Sequence, residues 1–179
     1  MLQVSIPARE YFDERTNEFI EVKAHTLQLE HSLISISKWE SKWCKPFLGK
    51  EEKTEEETLD YIRCMTITQN VDPLVYRAIP NDELKRIREY IHAPMTATWF
   101  SDRNTPPNRK IITSELVYYW MTVQNIPFEC EKWHFNRLMT LIRICGEKNQ
   151  PQKKMSKREA AAQRSQLNAA RRARHHTSG

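Results

Sequence analysis

Every tryptophan, tyrosine, phenylalanine, isoleucine and valine of this 179-residue chain lies before residue 150. A hydrophobic core therefore has to be assembled from residues 1–149. Residues 150–179 offer only Met155 and Leu167 as large apolar side chains, too few to bury a core of their own. Charge divides at the same place. Of 28 bases and 23 acids, eight bases and one acid fall in 150–179, so that segment carries +7. The remaining 20 bases and 22 acids leave residues 1–149 at −2. The expected organisation is one globular domain over 1–149, β-rich in 1–31 and helical in 32–149, followed by a basic, flexible or helical tail over 150–179.

Broad classes follow from composition. No run approaches 18 apolar residues, and mean hydropathy is −0.73, so no membrane span is expected. Met1 to Glu10 lacks a basic stretch followed by an apolar one, so no secretory signal is expected. Cys44, Cys64, Cys130 and Cys145 are widely spaced and lie in apolar or amphipathic runs. They read as reduced core thiols in a cytosolic compartment. Cys130 and His134 stand four apart, but two ligands do not make a zinc site, and no metal is expected.

Hydrophobic periodicity places the elements. Residues 2–31 alternate like strands, with Leu2, Val4 and Ile6 on one face and Leu27 and Leu29 on another. Phe19, Ile20 and Val22 follow a polar turn, Asp13 to Asn17. A small antiparallel sheet or hairpin is expected. From Ser32 the period changes: Leu33, Ile36, Trp39 and Trp43 mark a helix face that ends before Pro46, and Ser32 with Ser35 offers a cap. Thr54 and Glu57 form a capping box for a helix running to about Thr68. Asn70 to Pro73 is a break. Asn81 or Asp82 caps the next helix, with Leu84, Ile87, Tyr90 and Ile91 inside. His92 to Lys110, with Pro94, Pro106 and Pro107, is irregular. One helix starts at Thr113–Glu115. Another runs from about Glu129 to Cys145 with Gly146 as its C-cap. The sum is an α+β, mainly helical fold of about five helices after the strands.

Familiar catalytic patterns are missing from this pattern of residues. Gly49, Gly146 and Gly179 are the only glycines, which is too few for a P-loop or a dinucleotide fingerprint. GxSxG and HExxH do not occur. His31 and His134 sit beside packing faces and read as satisfied core histidines. No catalytic residue, no cofactor and no enzymatic activity are expected. The tail bases Lys153, Lys154, Lys157, Arg158, Arg164, Arg171, Arg172 and Arg174 carry no interleaved aromatics. They suit phosphate or an acidic partner, not base stacking.

Three stretches resemble a family of bacteriophage tail assembly chaperones. They are Leu27-Gln-Leu-Glu-His-Ser-Leu-Ile-Ser-Ile-Ser-Lys-Trp-Glu-Ser-Lys-Trp43, Ile112-Thr-Ser-Glu-Leu-Val-Tyr-Tyr-Trp-Met121 and Ile126-Pro-Phe-Glu-Cys-Glu-Lys-Trp-His-Phe-Asn-Arg-Leu138. The basic end from Lys154 through Arg172 is similar too, although many members of that family end in acidic regions. The resemblance implies a non-enzymatic holder of the long tape-measure protein, or of other phage tail proteins, in the host cytoplasm during tail morphogenesis. It also leaves room for a homo-oligomer. A holder needs exposed apolar side chains. The candidates for partner binding are Trp39, Trp43, Trp99, Phe100, Tyr118, Tyr119 and Trp120. The competing readings are a structural head–tail or tail component of the virion, and a nucleic-acid-binding module acting through the tail.

Overall fold

Alternation at the N-terminus is realised as a hairpin within a hairpin. The computed structural model describes residues 1–13, 17–100, 111–149 and 157–175. Strand β1 (Leu2–Ile6) pairs antiparallel with β4 (His25–Leu29), placing Leu2 opposite Leu29 and Val4 opposite Leu27. Val4, Ile6, Leu27 and Leu29 are buried, while Gln3, Ser5, Thr26 and Gln28 between them face solvent. Strands β2 (Arg9–Asp13) and β3 (Glu18–Val22) pair inside this outer pair. Most of the expected turn, residues 14–16, lies outside the described residues. Asn17 takes the left-handed conformation that asparagine tolerates, φ 57°.

Helix α1 (Leu33–Trp43) begins at a reciprocal cap. The Ser35 N–H donates to Ser32 Oγ, and the Ser32 N–H donates to Ser35 Oγ. Leu33, Ile36, Trp39 and Glu40 form its buried face. Cys44 ends it in the left-handed region, φ 52°, with its N–H on the Glu40 carbonyl. That position is exposed, so Cys44 is not the core thiol expected from the sequence. Cys130 is buried, and Cys64 and Cys145 are half-buried.

Helix α2 (Glu55–Met65) starts at the expected box of Thr54 and Glu57. Two indoles bind it to α1: Trp39 donates to the Glu57 carbonyl at 2.9 Å, and Trp43 to Asp60 Oδ2 at 2.9 Å. Phe47 lies over Tyr61 with ring centroids 4.0 Å apart and meets Trp39 edge-on at 5.3 Å. The helix stops at Met65, three residues short of expectation. The backbone there turns extended and pairs with β4: Ile67 N–H to Gln28 O at 2.8 Å, and Glu30 N–H to Met65 O at 2.9 Å. Tertiary pairing here overrides helical periodicity.

A short helix, α3 (Pro73–Arg77), stands where only a break was expected. Asp72 caps the Leu74 N–H, and Pro73 at the first helical position has no N–H to lose. Helix α4 (Asn81–His92) is entered through Pro80 with no side-chain cap, contrary to the role expected of Asn81 or Asp82. Ile87 is its buried residue, flanked by Leu84, Tyr90 and Ile91. Helix α5 (Ser114–Val123) buries Ser114, Val117 and Met121.

The expected single helix from Glu129 to Cys145 is two elements. A 3-10 turn spans Phe128–Lys132, and α6 spans Phe135–Asn149. Trp133 between them is extended, ψ 162°. The Phe135 N–H donates to the His31 carbonyl at 2.7 Å, and His134 bridges to Ser32. Those bonds to the start of α1 replace helical ones. Gly146 lies inside α6 and does not end it. The body thus has six α-helices among the described residues against the five expected, within an α+β, mainly helical fold. The strands and these helices occupy the unit Met1–Gly146. In the unit Glu147–Gly179 the described structure beyond the end of α6 is helix α7 (Lys157–His175).

One buried carboxylate joins distant pieces of this unit. Glu40 Oε1 accepts the Phe47 N–H at 2.8 Å, and Oε2 accepts the Ser114 N–H at 2.7 Å. The second bond sits at the first turn of α5, where a negative charge complements unpaired N–H groups. Glu40→Ala leaves two buried donors without partners and should cost about 2–4 kcal/mol in denaturant unfolding. Ser114→Ala keeps the N–H and removes a hydroxyl that has no partner among the described residues. It should change stability by less than about 0.5 kcal/mol.

Candidate partner-binding surface

The aromatic residues singled out from sequence do not share one fate. Trp39 is 1% exposed, stacked beside Trp43 and bonded through its indole N–H. It is a core residue and is withdrawn from any contact surface. Trp43 is half-buried, and its N–H is engaged by Asp60. Phe100 is half-buried under the Arg143 guanidinium, 3.9 Å from the ring centroid. Trp120 is partly buried against the core. Tyr118 is half-buried as well, with its hydroxyl donating to Glu131 Oε2 at 2.8 Å. That acceptor and burial both push the Tyr118 pKa up, burial the more. Trp99 and Tyr119 are open to solvent, at 81% and 60%.

Sequence reasoning missed the neighbours of Tyr119. Val123, one turn further along α5, is 59% exposed, and Phe128 is 54% exposed. Phe128 lies beside Tyr118, with ring centroids 6.2 Å apart. The α5 helix and the 3-10 turn after it therefore present Tyr119, Val123 and Phe128 outward, with Tyr118 linking the two elements. Trp133 is also partly exposed and carries the Arg137 guanidinium 4.4 Å above its ring. The signal for Val123 was present as its i,i+4 spacing from Tyr119. Phe128 gave none, because its exposure depends on the turn that interrupts the expected helix.

An open groove of about 880 Å³ runs between α2 and the α3–α4 segment. Its rim mixes Lys42, Arg63 and Arg77 with Glu55, Glu56 and Asp60. Lys42 and Asp60 pair with each other. The groove has no net charge that would select a ligand.

Titratable side chains also cluster in the interior. His31 Nδ1 meets the Tyr61 hydroxyl at 2.5 Å, and that hydroxyl lies 3.3 Å from Ser35 Oγ. Ser35 in turn donates to the Ser32 carbonyl at 2.7 Å. His134 Nε2 donates to the Tyr90 carbonyl at 3.0 Å, while Nδ1 accepts the Asn136 N–H at 3.3 Å. The two imidazoles meet edge-on, centroids 5.1 Å apart. His31 is 2% exposed and His134 5% exposed, so neither reaches a substrate. With both its nitrogens engaged, His134 is not free to join Cys130 on a metal. Among the described residues no group of three or more metal-ligating side chains converges.

The tail bases fall differently again. Lys153 and Lys154 lie outside the described residues. Lys157 opens α7, and Arg158, Arg164, Arg171, Arg172 and Arg174 are exposed along it. Among the described residues no helix is long and apolar enough to cross a membrane. Comparison with protein-family models, with curated proteins and with solved structures returns no match.

The buried imidazoles predict an acid-sensitive fold. Burial, then the charges of His134 and His92, lower the His31 pKa to about 3. Burial lowers that of His134 also. Above pH 6.5 both imidazoles are neutral folded or unfolded. Below it the unfolded chain takes up protons that the folded chain refuses, so stability falls with pH. His31 alone should remove about 2 kcal/mol between pH 7.5 and pH 5. Urea unfolding across that range should show the decline, and His31→Gln should flatten it.

Proposed function

We propose that this protein is a phage tail assembly chaperone, which holds the tape-measure protein in the host cytoplasm while the tail is built. The reading rests on one observation: Tyr119, Val123 and Phe128 stand exposed on α5 and the turn after it. Exposed apolar side chains grouped on neighbouring elements mark sites of protein contact. Amphipathic helices dock through just such rows, one turn apart, and a tape-measure protein is long and helical with apolar patches. The family resemblance includes this region, since two of its three stretches contain Tyr118, Tyr119 and Phe128.

The client site is the outer face of α5, with Trp99 and Trp133 as further exposed aromatics of the same unit.

Co-expression with the cognate tape-measure protein should raise the soluble fraction of that protein and yield a complex on size-exclusion chromatography. The double variant Tyr119→Ser/Phe128→Ser should lose the complex while its unfolding midpoint stays close to that of the parent, since both side chains are largely exposed. An unchanged complex in the double variant would move the client site elsewhere. No complex and no gain in solubility with the parent chain would end this reading.

A further inference from the structure

We propose that α7 is a duplex-DNA-binding helix that contacts phosphates on both walls of the major groove. The proposal does not rest on the tape-measure reading. It begins with periodicity. Lys157, Arg164 and Arg171 recur every seven residues. On a helix of 3.6 residues per turn that is a single row, with bases about 10.5 Å apart along the axis. Arg158 and Arg172 are fourteen apart and form a second row, roughly 100° round from the first. Ser165 stands midway in that second row, Ala161 and Asn168 lie between the rows, and all three line a shallow surface depression with Arg164 and Arg172. The opposite side carries Glu159 with the uncharged Ala162, Gln166, Ala170 and Ala173, and Arg174 lies outside both rows. Arg158, Arg164, Arg171 and Arg172 are all exposed.

Two basic rows flanking a strip of small residues match a groove with a phosphate backbone on either side. The B-DNA major groove is about 12 Å wide and admits an α-helix. Small residues in the strip allow the helix to sit deep, Asn168 can donate a hydrogen bond from it, and Ser165 can donate one from the second row. Duplex RNA fits poorly, because its major groove is too narrow for side chains to read. A protein surface fits poorly too. Protein interfaces are anchored by buried aromatic or aliphatic side chains, and the strip between the rows offers none. Polar, strongly basic surfaces are characteristic of contacts with DNA. With no aromatic in α7, single-strand stacking has no platform. Recognition is then by charge and groove shape, largely independent of sequence.

The full-length protein is titrated into a fluorescein-labelled 20-base-pair DNA duplex and binding is read by anisotropy. Five phosphate contacts predict a slope of log affinity against log salt near −4.5, a loss of about 10²–10³-fold between 50 and 200 mM. Arg164→Gln/Arg171→Gln and Arg158→Gln/Arg172→Gln each remove two charges from one wall. Either pair should weaken binding tenfold or more and reduce the slope by about 2. Gln163→Glu/Ala170→Glu makes the same change in net charge outside both rows and should cost less than about threefold. Equal losses in all three double variants would overturn the proposal in favour of a tail acting only as diffuse charge. A parent that prefers an RNA duplex or polyglutamate to DNA, or that binds no DNA at 50 mM salt, would overturn it as well.

Discussion

The fold depends on the place where His31 and Ser32 meet His134 and Phe135. Four elements end or begin there: β4, α1, α4 and α6. The His31 carbonyl takes the first N–H of α6, and the His134 ring donates to the Tyr90 carbonyl in the last turn of α4. Asn136 adds two bonds, to the Ile91 and Ala93 carbonyls at 3.0 and 2.8 Å. A helix end buried without partners would be costly. Here the first N–H of α6 is met from 104 positions away, and the Tyr90, Ile91 and Ala93 carbonyls are met from 43 to 45 positions away. Neutral imidazole suits the task because it donates with one nitrogen and accepts with the other. Its charged form does not, which ties the packing of the interior to protonation.

Much of this architecture was legible in the sequence, and the legible parts are local. Alternation at Leu2, Val4 and Ile6 gave the outer strand its buried face. The boxes at Ser32–Ser35 and Thr54–Glu57 marked two helix starts, and both pairs of reciprocal bonds are present. The unreadable parts are those where a distant segment overrules the local pattern. Periodicity runs smoothly through Trp133 and His134, yet the chain is extended there because Ser32 pairs with it. Likewise Thr66 and Ile67 could continue a helix, but β4 offers them an edge. Glu40 reads as an ordinary surface acid one residue after Trp39. Only the approach of Phe47 and Ser114 reveals it as a buried bridge.

The candidate surface was legible by residue type and not by orientation. Aromatic side chains were easy to find, but α5 is apolar on more than one face. Which face turns inward is decided by Val117 and Met121 finding the core. That rotation leaves Tyr119 and Val123 outside. In α1 the same residue types went the other way, and Trp39 became the largest fully buried side chain of the body. The basic tail shows the converse. Its composition announced charge, while spacings of seven and fourteen residues gather five of its bases into two rows only when the segment is helical.

The extended stretch after α2 also shields part of an open strand. With β1 along one side and residues 66–68 bonded to Gln28 on the other, the C-terminal end of β4 is covered on both flanks. An open strand is a template on which sticky segments add themselves and grow into aggregates. Here the C-terminal end of that strand is covered from both flanks, so on the proposed function an incoming tape-measure segment finds less ladder to extend on β4. Recruitment of such a segment into a sheet is thereby restricted to what remains of the edge nearer His25.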